Sequence, residues 1–119
     1  MDVAEIDLQR IRQVISQQIE AFRDGDAIAA FIHAAPGIQQ QFGTAEKFAA
    51  MVEVAYPSVY RPRSVVFELL HQVEGLPAQQ VMLLDQSGKL IRATYMMQRQ
   101  EYGEWKIAGC YLTPIGYEE

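Results

Sequence analysis

The sequence predicts an α+β fold: three N-terminal helices packed on a curved, four-stranded antiparallel meander sheet. Three observations carry this. Up to about residue 56, apolar residues recur at spacings of three and four, the period of a helix with one buried face. From Ser64 on, they come in short runs rich in Val, Ile, Tyr and Phe. Short connections holding Gly75, Gly88 and Gly103 separate those runs, each brief enough for a hairpin.

The first helix is expected over about Val3–Arg23. Leu8, Ile11, Ile15, Ile19 and Phe22 make its apolar stripe, and Asp2 with Glu5 resembles a capping box. Asp24-Gly25-Asp26 ends it: Gly25 suits a left-handed cap, and Asp26 can accept from the amides of the next helix. That second helix, about Ala27–Ala34, has almost no polar face and is expected to be largely buried, stopped by Pro36-Gly37. Residues 37–43 read as a connector with room for one helical turn. Thr44 caps the third helix, whose buried face is Phe48, Met51, Val52 and Ala55. Tyr56 precedes Pro57 and is pushed out of helical geometry, so residues 56–63 read as an extended crossing to the sheet.

The strands are expected at about Ser64–Val73, Gln79–Asp85, Lys89–Gln100 and Trp105–Thr113. Side chains alternate along a strand, so parity sorts the faces. Phe67, Leu69 and His71, then Ile91, Ala93, Tyr95, Met97 and Arg99, then Trp105, Ile107, Gly109 and Tyr111 hold the bulkiest residues and are assigned to the helix side. A bulge would exchange these sets beyond it. The second strand carries Val81-Met82-Leu83-Leu84, apolar at every position, so both sheet faces are expected to lose water. The helices cover one. The mixed apolar and polar composition of the other suits a subunit interface, hence an expected homodimer through the sheet.

The 119 residues suit one domain, 1–119, with one core. The net charge is −5, with no basic stripe in either half, which argues against nucleic acid as a partner. No run reaches the ~20 apolar residues of a membrane span, and the first residues lack a signal-peptide pattern, so a cytoplasmic protein is expected. Cys110 is the single cysteine, which excludes an internal disulfide and a cysteine-rich metal site. No cofactor or metal spacing is present.

The segments Ile19-Glu20-Ala21-Phe22-Arg23-Asp24-Gly25-Asp26 and Gly103-Glu104-Trp105-Lys106-Ile107-Ala108-Gly109 resemble the end of the first helix and the last strand of the nuclear transport factor 2-like superfamily, also called SnoaL-like or the cystatin-like α+β roll. Ala35-Pro36-Gly37-Ile38, Phe42-Gly43, Tyr56-Pro57 and Val59-Tyr60-Arg61-Pro62-Arg63 resemble a small family within it, known only as a domain of unknown function. The resemblance implies a cone-shaped roll. It leaves activity open, since the superfamily holds isomerases, dehydratases, cyclases and non-catalytic binding subunits. The connector at residues 36–43 is too short for the strand hairpin many members carry there.

Candidate chemistry is sparse. Tyr95 and Tyr111 can donate to an enolate oxygen, as an isomerase requires, but no carboxylate shares their face as a base. His33 and His71 lack a paired acid, and Cys110 lacks a neighbouring base. Arg61 and Arg63 flank Pro62 beside Tyr56 and Tyr60, a stiff segment able to hold a small anion or simply to pair with surface acids. Tyr56, Tyr60, Arg61, Arg63, His71, Tyr95, Arg99, Trp105 and Tyr111 are therefore the expected ligand-binding residues. The function expected is small-ligand binding or interaction; the alternative is a small isomerase, cyclase or dehydratase acting on an apolar substrate.

Overall fold

The structure, a computed structural model, describes residues 5–115. Asp2 and Val3, where the expected cap and start of the first helix fall, lie outside the described residues. Helices come first, as α1 (Glu5–Arg23), α2 (Ala27–Phe31), α3 (Pro36–Phe42), α4 (Ala45–Ala55) and α5 (Pro57–Tyr60). Strands β1 (Ser64–Val73), β2 (Leu76–Leu84), β3 (Leu90–Arg99) and β4 (Trp105–Pro114) follow in one antiparallel sheet of order β1-β2-β3-β4. The α+β class and the meander expected from the sequence are both present.

The caps act where the sequence places them. Asp26 Oδ1 accepts from the Ala29 amide at 3.0 Å, and Thr44 Oγ1 from the Lys47 amide at 3.2 Å. Each bond satisfies one of the free amides at a helix start. The prolines depart from expectation. Pro36 does not stop α2, which ends at Phe31; it opens α3 in the first turn, with Ala35 extended before it. Pro57 likewise opens α5 after a non-helical Tyr56, so the expected extended crossing holds a helical turn. Proline has no amide to lose in a first turn, and its fixed φ is already helical.

The second helix is shorter and wetter than expected. It ends at Phe31, because Ala34 leaves helical geometry to bridge Ile107 of β4 in parallel. Ala30 is buried, but Ile28 is 66% and Ile32 51% exposed. A helix of little more than one turn can turn only one side to the core.

Ile11, Ile15, Ile19 and Phe22 of α1 and Phe48 and Val52 of α4 pack against Val81, Leu83, Ala93, Tyr95, Met97, Trp105 and Ile107 of the sheet. Phe48 is the aromatic hub, its ring 5.8 Å from Phe22, 5.5 Å from Phe31 and 5.7 Å from Phe42. Each such large side chain contributes about 1.5–3 kcal/mol by leaving water.

Two bulges rearrange the faces. In β1, Phe67 pairs with Val81 but Leu70 pairs with Gln79, so Glu68 and Leu69 together oppose one residue. Leu70 consequently packs on the core, while Leu69 is 71% exposed and His71 is exposed as well. In β4, Met97 pairs with Ile107 but Met96 pairs with Gly109, leaving Ala108 as the extra residue. Beyond it Cys110 and Leu112 face the core and Tyr111 is 65% exposed. The helix-side assignment of Leu69, His71 and Tyr111 is thus corrected, because one inserted residue reverses every side chain that follows.

The first hairpin is tighter than expected. Glu74 (φ 53°) and Gly75 (φ 84°) form a two-residue loop with both backbones left-handed, the geometry that matches strand twist. Pro77 therefore lies inside β2, opposite Gln72; the β3 ladder begins one residue later at Ala78, so no amide is missed.

The far face of the sheet is only partly dry. Met82 and Leu84 are half-buried, whereas Val66 is 51% exposed. Across this face Arg92 grips Glu68 with two bonds, Nε to Oε1 at 2.8 Å and an Nη to Oε2 at 3.0 Å. That grip holds the Glu68 carboxyl below its usual range.

Candidate functional site: an uncharged cleft beside the last strand

A cleft of about 630 Å³ lies between the helices and β4. Phe42 of α3 and Phe48, Met51 and Val52 of α4 form one wall; Tyr95 and the run Ile107–Tyr111 form the other. Gln18, Gln41 and Tyr56 supply side-chain polar groups, yet the described lining contains no Asp, Glu, His, Lys or Arg. Beyond Ile107, which bonds His33 and Ala35, the outer edge of β4 makes no further backbone bond to a described neighbour. Four consecutive residues of this edge strand, Ala108 to Tyr111, can therefore border the opening.

Two polar groups in the lining are deeply buried. Gln18 is held by a bond from its Nε2 to the Ala30 carbonyl at 3.1 Å. Tyr95 is 1% exposed, and its hydroxyl has no hydrogen-bond partner among the described residues. Burial drives its pKa well above the usual tyrosine value, so the phenol stays neutral at any physiological pH. Cys110 sits beside it, its pKa pushed up to about 12 by burial. A thiol held that strongly in its neutral form is a poor nucleophile.

The residues singled out from sequence distribute over several places. Tyr56, Tyr95 and Tyr111 border the cleft. Arg99 and Trp105 meet elsewhere, in a second depression with Arg10, His33 and Glu104. There the Trp105 indole donates to Asp7 at 3.2 Å, and the Arg99 guanidinium lies 5.8 Å from the Trp105 ring centre and 3.8 Å from Asp7. Tyr60 borders a third, smaller hollow. The Arg61 guanidinium lies 5.1 Å from the Tyr60 ring centre, while Arg61, Arg63 and His71 border none of these three. Glu68, an acid at the β1 bulge, is held by Arg92 rather than by Arg61 or Arg63.

Sequence reasoning missed Cys110, Gln18, Phe42 and Met51 as cleft residues. A signal existed for Cys110. Gly109 interrupts a strand interior, a common mark of a bulge, and reversing parity there turns Cys110 inward. Nothing in the sequence marks Gln18, which sits among other glutamines on the same helix.

Proton transfer needs a base within reach of the reacting atom. The described cleft residues assemble no carboxylate or imidazole beside Tyr95, and no group of three or more described His, Cys, Asp or Glu residues is placed to hold a metal ion. The arrangement suits non-covalent binding of an apolar molecule. No described helix is long and apolar enough to cross a membrane.

Helices preceding a four-stranded meander, with a cleft between the layers whose described lining is uncharged, define an α+β protein with a cavity. The chain belongs to the family described as "Domain of unknown function (DUF4864)", whose model matches residues 4–116. No curated protein and no solved structure matches it.

Proposed function

We propose that this chain is a small-ligand-binding module that takes an apolar molecule into the cleft beside β4. One observation carries the reading: a cleft of about 630 Å³ walled by Phe42, Phe48, Met51 and Val52 and free of charged side chains among its described lining residues. Sites for small molecules are typically concave and mostly apolar, with a few polar groups to orient the ligand. The helices-then-meander order and the segments quoted above support kinship with the nuclear transport factor 2-like rolls. The acidic composition and the single cysteine suit a cytoplasmic setting.

The module works as a homodimer through the far face of the sheet. Exposed Val66, Leu69 and Tyr111 support this, set around the Glu68–Arg92 pair as apolar contacts around a satisfied polar centre.

Thermal-shift titration with neutral bicyclic aromatics tests the ligand half. A ligand at 100 times its Kd stabilises the native state by about 2.7 kcal/mol. Ala55→Trp, at an exposed position bordering the cleft, abolishes the shift without unfolding the chain. No shift across the panel refutes the reading. Light scattering tests the dimer half: twice the 13.5 kDa chain mass is expected, falling to one chain in Leu69→Lys, and a wild-type monomer at micromolar concentration refutes it.

A further inference from the structure

We infer that the ligand of this cleft is an uncharged molecule bearing a hydrogen-bond acceptor, a ketone, ester or ether oxygen on an otherwise apolar frame, and that the Tyr95 hydroxyl is the donor that selects it. The inference rests on the ligand-binding reading above and narrows it to a chemical class.

Two independent observations lead there. The first is the Tyr95 hydroxyl. It is closed to solvent and makes no hydrogen bond within the described protein, although Gln18 in the same lining is held by a backbone carbonyl. Buried polar groups are nearly always satisfied, and an unmade bond costs the desolvation of the group. Among the described residues the titratable group that acts on it is the Cys110 thiol, itself neutral and a weak acceptor. The folded chain thus keeps a neutral donor on a residue that lines an apolar space and leaves its bond unmade among the described residues.

The second is charge. The described lining residues offer no cation, and the chain carries a net −5. A carboxylate or phosphate entering here loses its water, meets no counter-charge and opposes the overall field, all unfavourable. A neutral carbonyl loses much less and gains the phenol's bond. Because the phenol is locked in its neutral form, it remains a donor across the physiological pH range. The hydroxyl is closed in this structure, so a ligand oxygen reaches it by displacing a lining side chain, and Met51, with three rotatable bonds, is one of those in the lining.

The test uses the full chain and three matched probes: 4-phenylcyclohexanone, phenylcyclohexane and 4-phenylcyclohexanecarboxylate. Dissociation constants come from ligand-observed NMR, for wild type and Tyr95→Phe. The ratio of ketone to hydrocarbon affinity falls about fivefold in Tyr95→Phe, as for one neutral hydrogen bond, and the carboxylate binds neither protein. The infrared carbonyl stretch of wild-type-bound ketone shifts to lower frequency than in hexane, a readout that needs no variant. An unchanged ratio together with an unshifted carbonyl overturns the inference while leaving the cleft a binding site. Carboxylate binding as tight as the ketone overturns its charge half in the same way. If none of the three binds, the ligand-binding reading itself fails and the inference with it.

Discussion

Gln79 offers the sharpest test of how the sheet is held in shape. It sits in the central strand β2, 0% exposed, directly behind the β1 bulge. Its Nε2 donates to the Glu68 carbonyl and to the Gln80 carbonyl, each at 2.8 Å. Its Oε1 accepts from Arg12 Nε at 3.3 Å, and a second Arg12 nitrogen reaches the same Glu68 carbonyl at 3.0 Å. A bulge disrupts the ladder at the inserted residue, and these bonds occupy a carbonyl at that point. Gln79→Leu keeps the volume, so little cavity penalty arises. It removes the three Gln79 bonds, worth about 1 kcal/mol each, and regains roughly 1–2 kcal/mol from the added apolar burial. The net loss is about 1–2 kcal/mol, or a fall in Tm of roughly 4–8 °C for a chain of this size. Urea denaturation monitored by Trp105 fluorescence gives the first number and calorimetry the second. A cycle with Arg12→Met isolates the coupling between the two side chains. Wild-type stability in Gln79→Leu, with zero coupling, would mean that the strand ladder alone sets the bulge.

Two further outcomes are expected. Phe48→Ala removes the ring that meets Phe22, Phe31 and Phe42 and costs about 3–5 kcal/mol by chemical denaturation, more than an exposed-position control such as Val54→Ala. Burial and then Lys106 lower the His33 pKa below 6.5 against the opposing pull of Glu104, so the unfolded chain binds the proton first. The stability this contributes is fully present above pH 6.5 and is lost as pH falls toward the folded value. Urea midpoints at pH 7.5 and 5.5 are expected to drop less in His33→Gln than in wild type, and equal drops would remove His33 from the account.

The local rules written in the chain held where the interaction involved is itself local. Asp26 and Thr44 cap their helices because side chain and amide are three residues apart. The apolar stripe Ile11, Ile15, Ile19 is buried because the helix period puts it on one face. The prolines were half legible: Pro57 ends α4, whereas α2 already stops at Phe31, and each proline starts a new helix in its first turn. The cleft was least legible. Tyr56, Tyr95 and Tyr111 were identified as residues, yet the face on which Tyr111 lies and the inward turn of Cys110 depend on one unpaired residue in β4.

The sequence by itself determined the α+β class, the order of helices before strands, the meander and the helix caps, all through interactions between residues close in the chain or through a repeating period. Tertiary structure decided which side chains meet. It placed Leu70 and Cys110 inward, turned Leu69 and Tyr111 outward, and left the Tyr95 hydroxyl without a partner among the described residues, beside a cleft whose described lining is uncharged. The physical reason is parity: a strand's faces are set by counting from its pairing partner, and a bulge changes the count where two distant strands fit together.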